Sequence, residues 1–393
     1  MYRRAYVLLV TIPVVMGVIA LICAHSVDRS LVDPEGFLGP SWTRLPMLVV
    51  AALVADMVPQ YFWKGRGRPG PGWAAMKERW HTWWTRERLL LVVLGIASYY
   101  ITYVSYRNIK SFLPFVMGDT KYDRELHVLD RAIFLGHEPA TVLHAALGTG
   151  IVAQVLSLIY VTFIPMVAVM VAIYAVWSRN IRFGYWFVGG QVLIWSLGTA
   201  LYYCLPTLGP GYRYPWLYTD LPKTGAGDLL DALFYGRTRI TYGDVDNAVQ
   251  SIAAFASLHT GCTLIWALMV QYTVRARWIK IVAWTNFGTT VLATLYFGWH
   301  YVADDIAGVA MALVSFVIAG WAAGIKFTKK DLGVPPSKGS VARAEFDRQE
   351  AAGAAGAEPA GVPGESGQKS GQKSGQESGS PVPSAEVAAA PAD

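Results

Sequence analysis

Charge is what this chain is short of. Charged residues make up 15% of its 393 positions, against roughly 25% in an average soluble domain. Set beside 54% hydrophobic residues, that shortage excludes an ordinary water-soluble globule. Cysteine is scarce as well. Cys23, Cys204 and Cys262 lie in or beside apolar runs and form no CxxC pair, which excludes a zinc finger and a disulfide framework. Acidic residues trail basic ones only slightly, 27 against 33. The basic residues sit in short loops between apolar runs, so no nucleic-acid-binding stripe is present.

What the sequence has in abundance is long uncharged stretches. Residues 5–24 follow Arg3 and Arg4. As helix that run covers about 30 Å, one hydrocarbon core. It is long for the apolar region of a signal peptide, and the small-x-small cleavage pattern is poor. Further spans are predicted at 45–63, 89–106, 150–177, 184–205, 252–272, 279–298 and 301–325, eight in all. The stretch 126–148 carries or adjoins Glu125, Asp130, Arg131 and Glu138. It reads as interfacial or re-entrant helices. The expected fold class is therefore all-α and polytopic.

Positive charge orients the set. Lys64, Arg66, Arg68, Lys77, Arg79, Arg86 and Arg88 fill one loop. Arg179 and Arg182 lie in the next, then Arg275, Arg277 and Lys280, and Lys326, Lys329 and Lys330 follow the last span. With eight spans all of these fall on one side, together with Arg3 and Arg4. The positive-inside rule makes that side cytoplasmic, with both termini. The loops 107–149 and 206–251 fall outside, the second with Asp220, Asp228, Asp231, Asp244 and Asp246. Beyond about residue 334 the chain turns to Ala, Gly, Pro, Ser, Glu and Lys without apolar period, which predicts a disordered cytoplasmic tail. Three regions result: two N-terminal spans with a basic loop at 1–88, a six-span core at 89–325, and the tail at 326–393.

Two of the seven histidines abut spans in polar clusters. His259 lies in Ser-Leu-His-Thr-Gly at the start of the sixth span, and His300 lies between the seventh and eighth. Their separation of 41 residues is roughly 60 Å of helix, two crossings and a turn. Both histidines thus return to the outer face. His300 and Asp304 are i and i+4, within hydrogen-bonding reach on one helix face. A carboxylate there holds one ring nitrogen's proton and leaves the other nitrogen as a nucleophile. A second histidine can protonate a leaving group. Satisfied polar residues at span ends are the bland alternative, and it suits His137 and His144. Clustered ionisable groups at membrane depth are functional by default. Asp305 points about 100° away from Asp304 around the helix and reads as a solvated or structural carboxylate. Asp56, inside the second span, has no evident partner.

Ser-Leu-His-Thr-Gly-Cys at 257–262 and His-Tyr-x-x-Asp at 300–304 resemble the last two signature motifs of the type 2 phosphatidic acid phosphatase (PAP2) superfamily. The closest branch is that of inositol phosphorylceramide synthases (Aur1-like) and sphingomyelin synthases, where Leu replaces the Gly of the phosphatase motif. The resemblance covers the six spans from about 89 to 325. It implies a six-helix catalytic core with His300 as nucleophile, Asp304 as its orienting carboxylate and His259 as general acid, then base. It also implies Ser257 as a phosphate contact. The chain departs from the phosphatase branch in two places. The arginine six positions before the nucleophile is Thr294 here, and no Lys-x6-Arg-Pro motif precedes the sixth span. The nearest substitute is Arg213, within 205–216, able to clamp phosphate oxygens bidentately or to sit in an aromatic belt with Tyr212, Tyr214 and Trp216.

The expected activity is a membrane phosphotransferase or phosphatase acting on a lipid-linked phosphate in the bilayer at the outer face. No metal and no cofactor are expected around the histidines. Two other readings compete. His300 and Asp305 fit the His-x4-Asp pattern of membrane acyltransferases, and a proton-coupled transporter would use the same groups as a relay. Hydrolysis and transfer both remain open.

Overall fold

The computed structural model describes residues 2–66, 68–242 and 252–327. These lie in the first of two compact units, residues 1–348. Asp244, Asp246, Lys329, Lys330 and nearly all of the expected tail fall outside the described residues, so the expectations for them are not addressed.

Among the described residues the chain is helical, without strands. The helices are α1 (Arg3–Ser26), α2 (Ser41–Gly65), α3 (Pro69–Trp83), α4 (Arg86–Met117), α5 (Asp123–Ile133), α6 (Pro139–Leu147) and α7 (Ile151–Val161). They continue as α8 (Phe163–Trp177), α9 (Ile181–Cys204), α10 (Pro210–Arg213), α11 (Gly225–Tyr242), α12 (Leu258–Thr273), α13 (Arg277–Tyr296) and α14 (Val302–Ala322). Side chains start several of them. Thr85 accepts from the Arg88 amide at α4, and Asn180 from the Arg182 amide at α9. Such caps satisfy amides that have no partner within the helix.

Five helices are long and apolar enough to cross a membrane: α1, α2, α4, α9 and α14. Counted as one span, the bent pair α7–α8 brings the number to six. The chain is thus an all-α, multi-pass protein, with two of the eight expected spans short of the requirement. Residues 252–257 are not helical, so α12 has only 16 residues and rises about 24 Å. α13 opens with Arg277 and Lys280. The single span expected at 150–177 is instead broken by 44° at Thr162. Pro165, in the next turn, has no amide to give and its ring crowds the carbonyl four residues back. The Thr162 hydroxyl bonds to the carbonyls of Leu158 and Ile159, at 2.9 and 3.0 Å. The 126–148 region holds short helices, most of α5 and all of α6, and no membrane-length helix.

α9 is the centre of the bundle, packing against α1, α4, α8, α12 and α14. Trp186, Phe187, Val188, Val192, Ile194 and Trp195 along it are all buried. α1 belongs to the same core through Leu9, Met16 and Ala20. α2 is peripheral and touches α3, α4 and α8. Large apolar side chains remain exposed along α1, α2, α8 and α14. Aliphatic surface of that extent belongs against lipid tails.

Candidate active site

Two helix starts converge here. Ser257 begins α12, its hydroxyl oxygen accepting from the Thr260 amide at 3.3 Å. His259 is the second residue of that helix. His300 stands two residues before α14, whose first amide, Val302, donates to Asp130 of α5 at 3.1 Å. The positive ends of both helix dipoles therefore lie beside the histidines, where an anion is favoured. Close contact between α12 and α14 makes this possible. A Cβ on Gly308 would stand 2.5 Å from the Ser257 carbonyl oxygen, nearer than any real side chain tolerates. The Ser257 amide also donates to the Asp304 carbonyl at 3.0 Å.

The rings of His259 and His300 lie 6.1 Å apart, centre to centre. His300 Nδ1 is 3.3 Å from Asp304 Oδ2, and that oxygen also accepts from the Tyr301 amide at 2.9 Å. Because a carboxylate only accepts, the bond needs the proton on Nδ1 and leaves Nε2 with its lone pair. His259 is sandwiched between Tyr160, stacked at 4.2 Å and 15°, and Phe163, also at 4.2 Å. Trp299 stacks on the other side of Tyr160, at 5.0 Å.

Asp305 does not face His300 as a hydrogen-bond partner. Its oxygens are held by the hydroxyls of Thr260 at 2.5 Å and Thr294 at 2.9 Å. It is buried and ties α12, α13 and α14 together, which makes it structural rather than solvated. Thr294, at the position of the phosphatase arginine, is likewise fully buried in this link.

Both histidines line a cavity of about 350 Å³, within the usual range of small-molecule sites. Val161, Phe163 and Ile164 at the α7–α8 break form part of its wall. Val161 and Ile164 of this wall are exposed apolar side chains. α4 contributes Tyr103, Tyr106, Arg107, Lys110 and Ser111, spaced along one helix face. Lys110 lies within Coulombic range of both histidines. Glu35, from the connection between α1 and α2, completes the lining and accepts from the Tyr103 hydroxyl at 3.3 Å. Arg107 donates to that same hydroxyl at 3.1 Å.

The structure thus brings together His259, His300 and Asp304. It does not bring Ser257 or Arg213 to this lining. Ser257 is buried behind His259 with its hydroxyl engaged by Thr260. Arg213 is exposed on α10. Lys110, Tyr160, Trp299 and Glu35 were missed in the sequence. The repeat Tyr103–Tyr106–Arg107–Lys110 at helical spacing was the one available signal.

α5 braces the site. Asp123 accepts from the amides of Leu208 and Gly209 and from the Tyr301 hydroxyl, at 2.9, 3.0 and 3.0 Å. Burial raises its carboxyl above the usual range. Burial likewise pushes Asp130 up to about 7, with Asp304, Asp305 and Glu138 adding negative charge around it. His144 is held between the Tyr296 carbonyl, at 2.9 Å, and Asp220, at 3.2 Å, away from the cavity. Among the described residues no group of three His, Cys, Asp or Glu side chains could hold a metal ion.

Residues 124–318 match the family model of the PAP2 superfamily, from within α5 to within α14. No curated protein and no solved structure gives a match.

Proposed function

We propose that the protein is an integral-membrane phosphotransferase or phosphatase that acts on a lipid-linked phosphate through a phosphohistidine on His300. The observation that carries this reading is the His300–Asp304 hydrogen bond, with His259 6.1 Å away in one cavity whose wall includes the exposed apolar Val161 and Ile164. The superfamily match contains all three residues, and enzymes of that superfamily are generally phosphatases and phosphotransferases.

In this reading Nε2 of His300 attacks phosphorus. The Nε2–P bond forms as the P–O bond to the first alcohol breaks, and protonated His259 gives its proton to the departing oxygen. Asp304 stabilises the charge that builds on the His300 ring. An incoming alcohol or water then attacks phosphorus, the N–P bond breaks, and His259 takes the incoming proton back. Lys110 and the two helix starts meet the phosphate charge. Their place at the cavity makes them stronger candidates than Arg213 and Ser257.

The basic loops support a cytoplasmic location for both termini and an outer face for the site. Transfer of a hydroxylated headgroup, as in the inositol phosphorylceramide synthase branch, is supported by Glu35, Tyr103 and Arg107. A carboxylate repels phosphate but accepts from hydroxyls, while the guanidinium and phenol donate. The acyltransferase reading loses support because both oxygens of Asp305 are bonded to threonines.

Purified protein incubated with labelled lipid phosphates and quenched in alkali tests the proposal. Wild type is expected to carry label on histidine, and His300→Ala is expected to carry none and to turn over at least about 10⁴-fold more slowly. Robust turnover by His300→Ala would remove the nucleophile and most of this reading.

A further inference from the structure

The cavity holds hydrogen-bond donors that the two-histidine chemistry does not use. Tyr160 is 1% exposed, and its hydroxyl has no hydrogen-bond partner among the described residues. The Nε1 of Trp299 is also buried and unpartnered among them. Both residues line the cavity beside His259 and His300. Each side chain is fixed by stacking rather than by its polar atom: Tyr160 lies between His259 and Trp299, at 4.2 and 5.0 Å. Buried donors are almost always satisfied, because an unmade bond in a low-dielectric site is costly. Trp195 carries a third unpartnered donor in the lining, but its ring packs against Tyr99, Tyr103 and Tyr106 and not against the histidines. The two donors on residues stacked beside His259 therefore point to an acceptor that arrives with the ligand.

The chemistry of that acceptor follows from its neighbours. Lys110 and the starts of α12 and α14 make the surroundings favourable to negative charge. A phenol O–H and an indole N–H only add to that preference, since the indole has no acceptor and the phenol is otherwise unbonded. The position that carries arginine in the phosphatase branch is Thr294 here, buried against Asp305 and turned to another task. The phosphoryl oxygens therefore lack a guanidinium from that position, while the neutral donors of Tyr160 and Trp299, on residues of the same lining, are unpartnered among the described residues.

We infer that Tyr160 Oη and Trp299 Nε1 form a neutral donor pair that binds the non-bridging phosphoryl oxygens. The inference rests on the phosphotransfer reading and deepens it. Tyr160 keeps its proton throughout and acts by hydrogen bonding alone. Its second task, holding the His259 ring in place, depends on the aromatic face and not on the hydroxyl.

That division gives a clean test, because Tyr160→Phe keeps the stack and removes only the oxygen. Turnover of a labelled diacylglycerol phosphate is expected to fall at least tenfold. Inhibition by orthovanadate, a phosphate analogue that becomes five-coordinate when the histidine bonds to vanadium, is expected to weaken by a similar factor. Melting temperature in detergent is expected to hold or rise, since an unsatisfied buried hydroxyl has been removed. Trp299→Phe, which also keeps an aromatic ring, is expected to behave the same way more weakly. Wild-type turnover and vanadate sensitivity in both variants would overturn the donor pair alone. A lowered melting temperature with unchanged turnover per folded molecule would make Tyr160 structural and overturn it equally. If wild type itself neither turns over lipid phosphates nor binds vanadate, the phosphotransfer reading fails and takes the pair with it.

Discussion

Asp56 and Asp304 are both buried carboxylates on apolar helices, and they are satisfied very differently. Asp56 lies in α2 and receives Arg79 through two nitrogens, at 2.9 and 2.7 Å. The indoles of Trp84 and Trp177 add bonds at 2.8 Å each. This cluster gathers α2, α3, α8 and the α3–α4 connection. Nearby, buried Arg88 donates to Ser178 and to the Ala175 carbonyl. Asp304 receives only the Tyr301 amide and His300, and its Oδ1 has no partner among the described residues. A saturated carboxylate fixes helices. An under-satisfied one against a histidine keeps electrostatic capacity for charge that develops during reaction. Asp305 extends the comparison to adjacent residues, since its two threonine bonds place it with Asp56.

Substitutions should separate the two kinds of carboxylate. Asp304→Asn is expected to slow turnover by about 10²–10⁴-fold, with near-native melting, because the amide still accepts from Tyr301 but cannot balance a charged imidazole. Single-turnover kinetics beside thermal melting will show it, and normal turnover would erase the contrast. Asp56→Ala is expected to do the reverse. Stranding Arg79 and two indoles should cost about 3–5 kcal/mol of stability, read as a lower melting temperature with turnover per folded molecule within about twofold. A selective loss of turnover would mean that this remote cluster is coupled to the site.

A smaller effect is expected at Thr294→Val, which removes one of the two hydroxyls on Asp305. About 1–3 kcal/mol should be lost to the under-satisfied carboxylate, and Thr294→Ser should recover most of it. Equal stability of the valine variant would show that the link between α13 and α14 is carried by packing. The smallest is a pH effect at Asp130. Burial raises its carboxyl from 3.8 to about 7 in the folded state, so the folded protein holds this proton more tightly than the unfolded chain. Its stabilising contribution is full below 3.8 and is lost as pH climbs through about 7. Asp130→Asn should flatten the decline of melting temperature over that window, and an unchanged slope would assign it to other groups.

Much of the site's chemistry was legible because it is local. The four-residue spacing of His300 and Asp304 puts the two in reach of each other, though His300 stands just outside α14 and not on its face as expected, and a 41-residue return brings His259 to the same end of the bundle. The phosphate-binding side was not legible. Arg213 looked suitable by residue type and loop position, but nothing local shows that α10 leaves it exposed and outside the cavity lining. Lys110 follows the expected span 89–106, and nothing local to it shows that it reaches the histidines' cavity. Asp56 looked unpartnered because its donors come from positions 79, 84 and 177. The break at Thr162 could have been read from Pro165, whereas the start of α12 at Leu258 depends on the preceding segment bonding to Thr207 instead, at 3.0 Å.

The sequence by itself determined the class of the protein. Apolar runs of bilayer length can satisfy their backbone only as helices, and four residues of spacing keep His300 and Asp304 within reach of each other at the start of α14. Tertiary structure decided everything that joins distant helices. The contact of α12 with α14 across Gly308, the stacking of Tyr160 on His259, and the entry of Glu35 and Lys110 into one cavity are examples. These depend on how close two backbones can come and which face each helix turns inward. Both are set by the packing of all neighbours together, and no short window of sequence contains them.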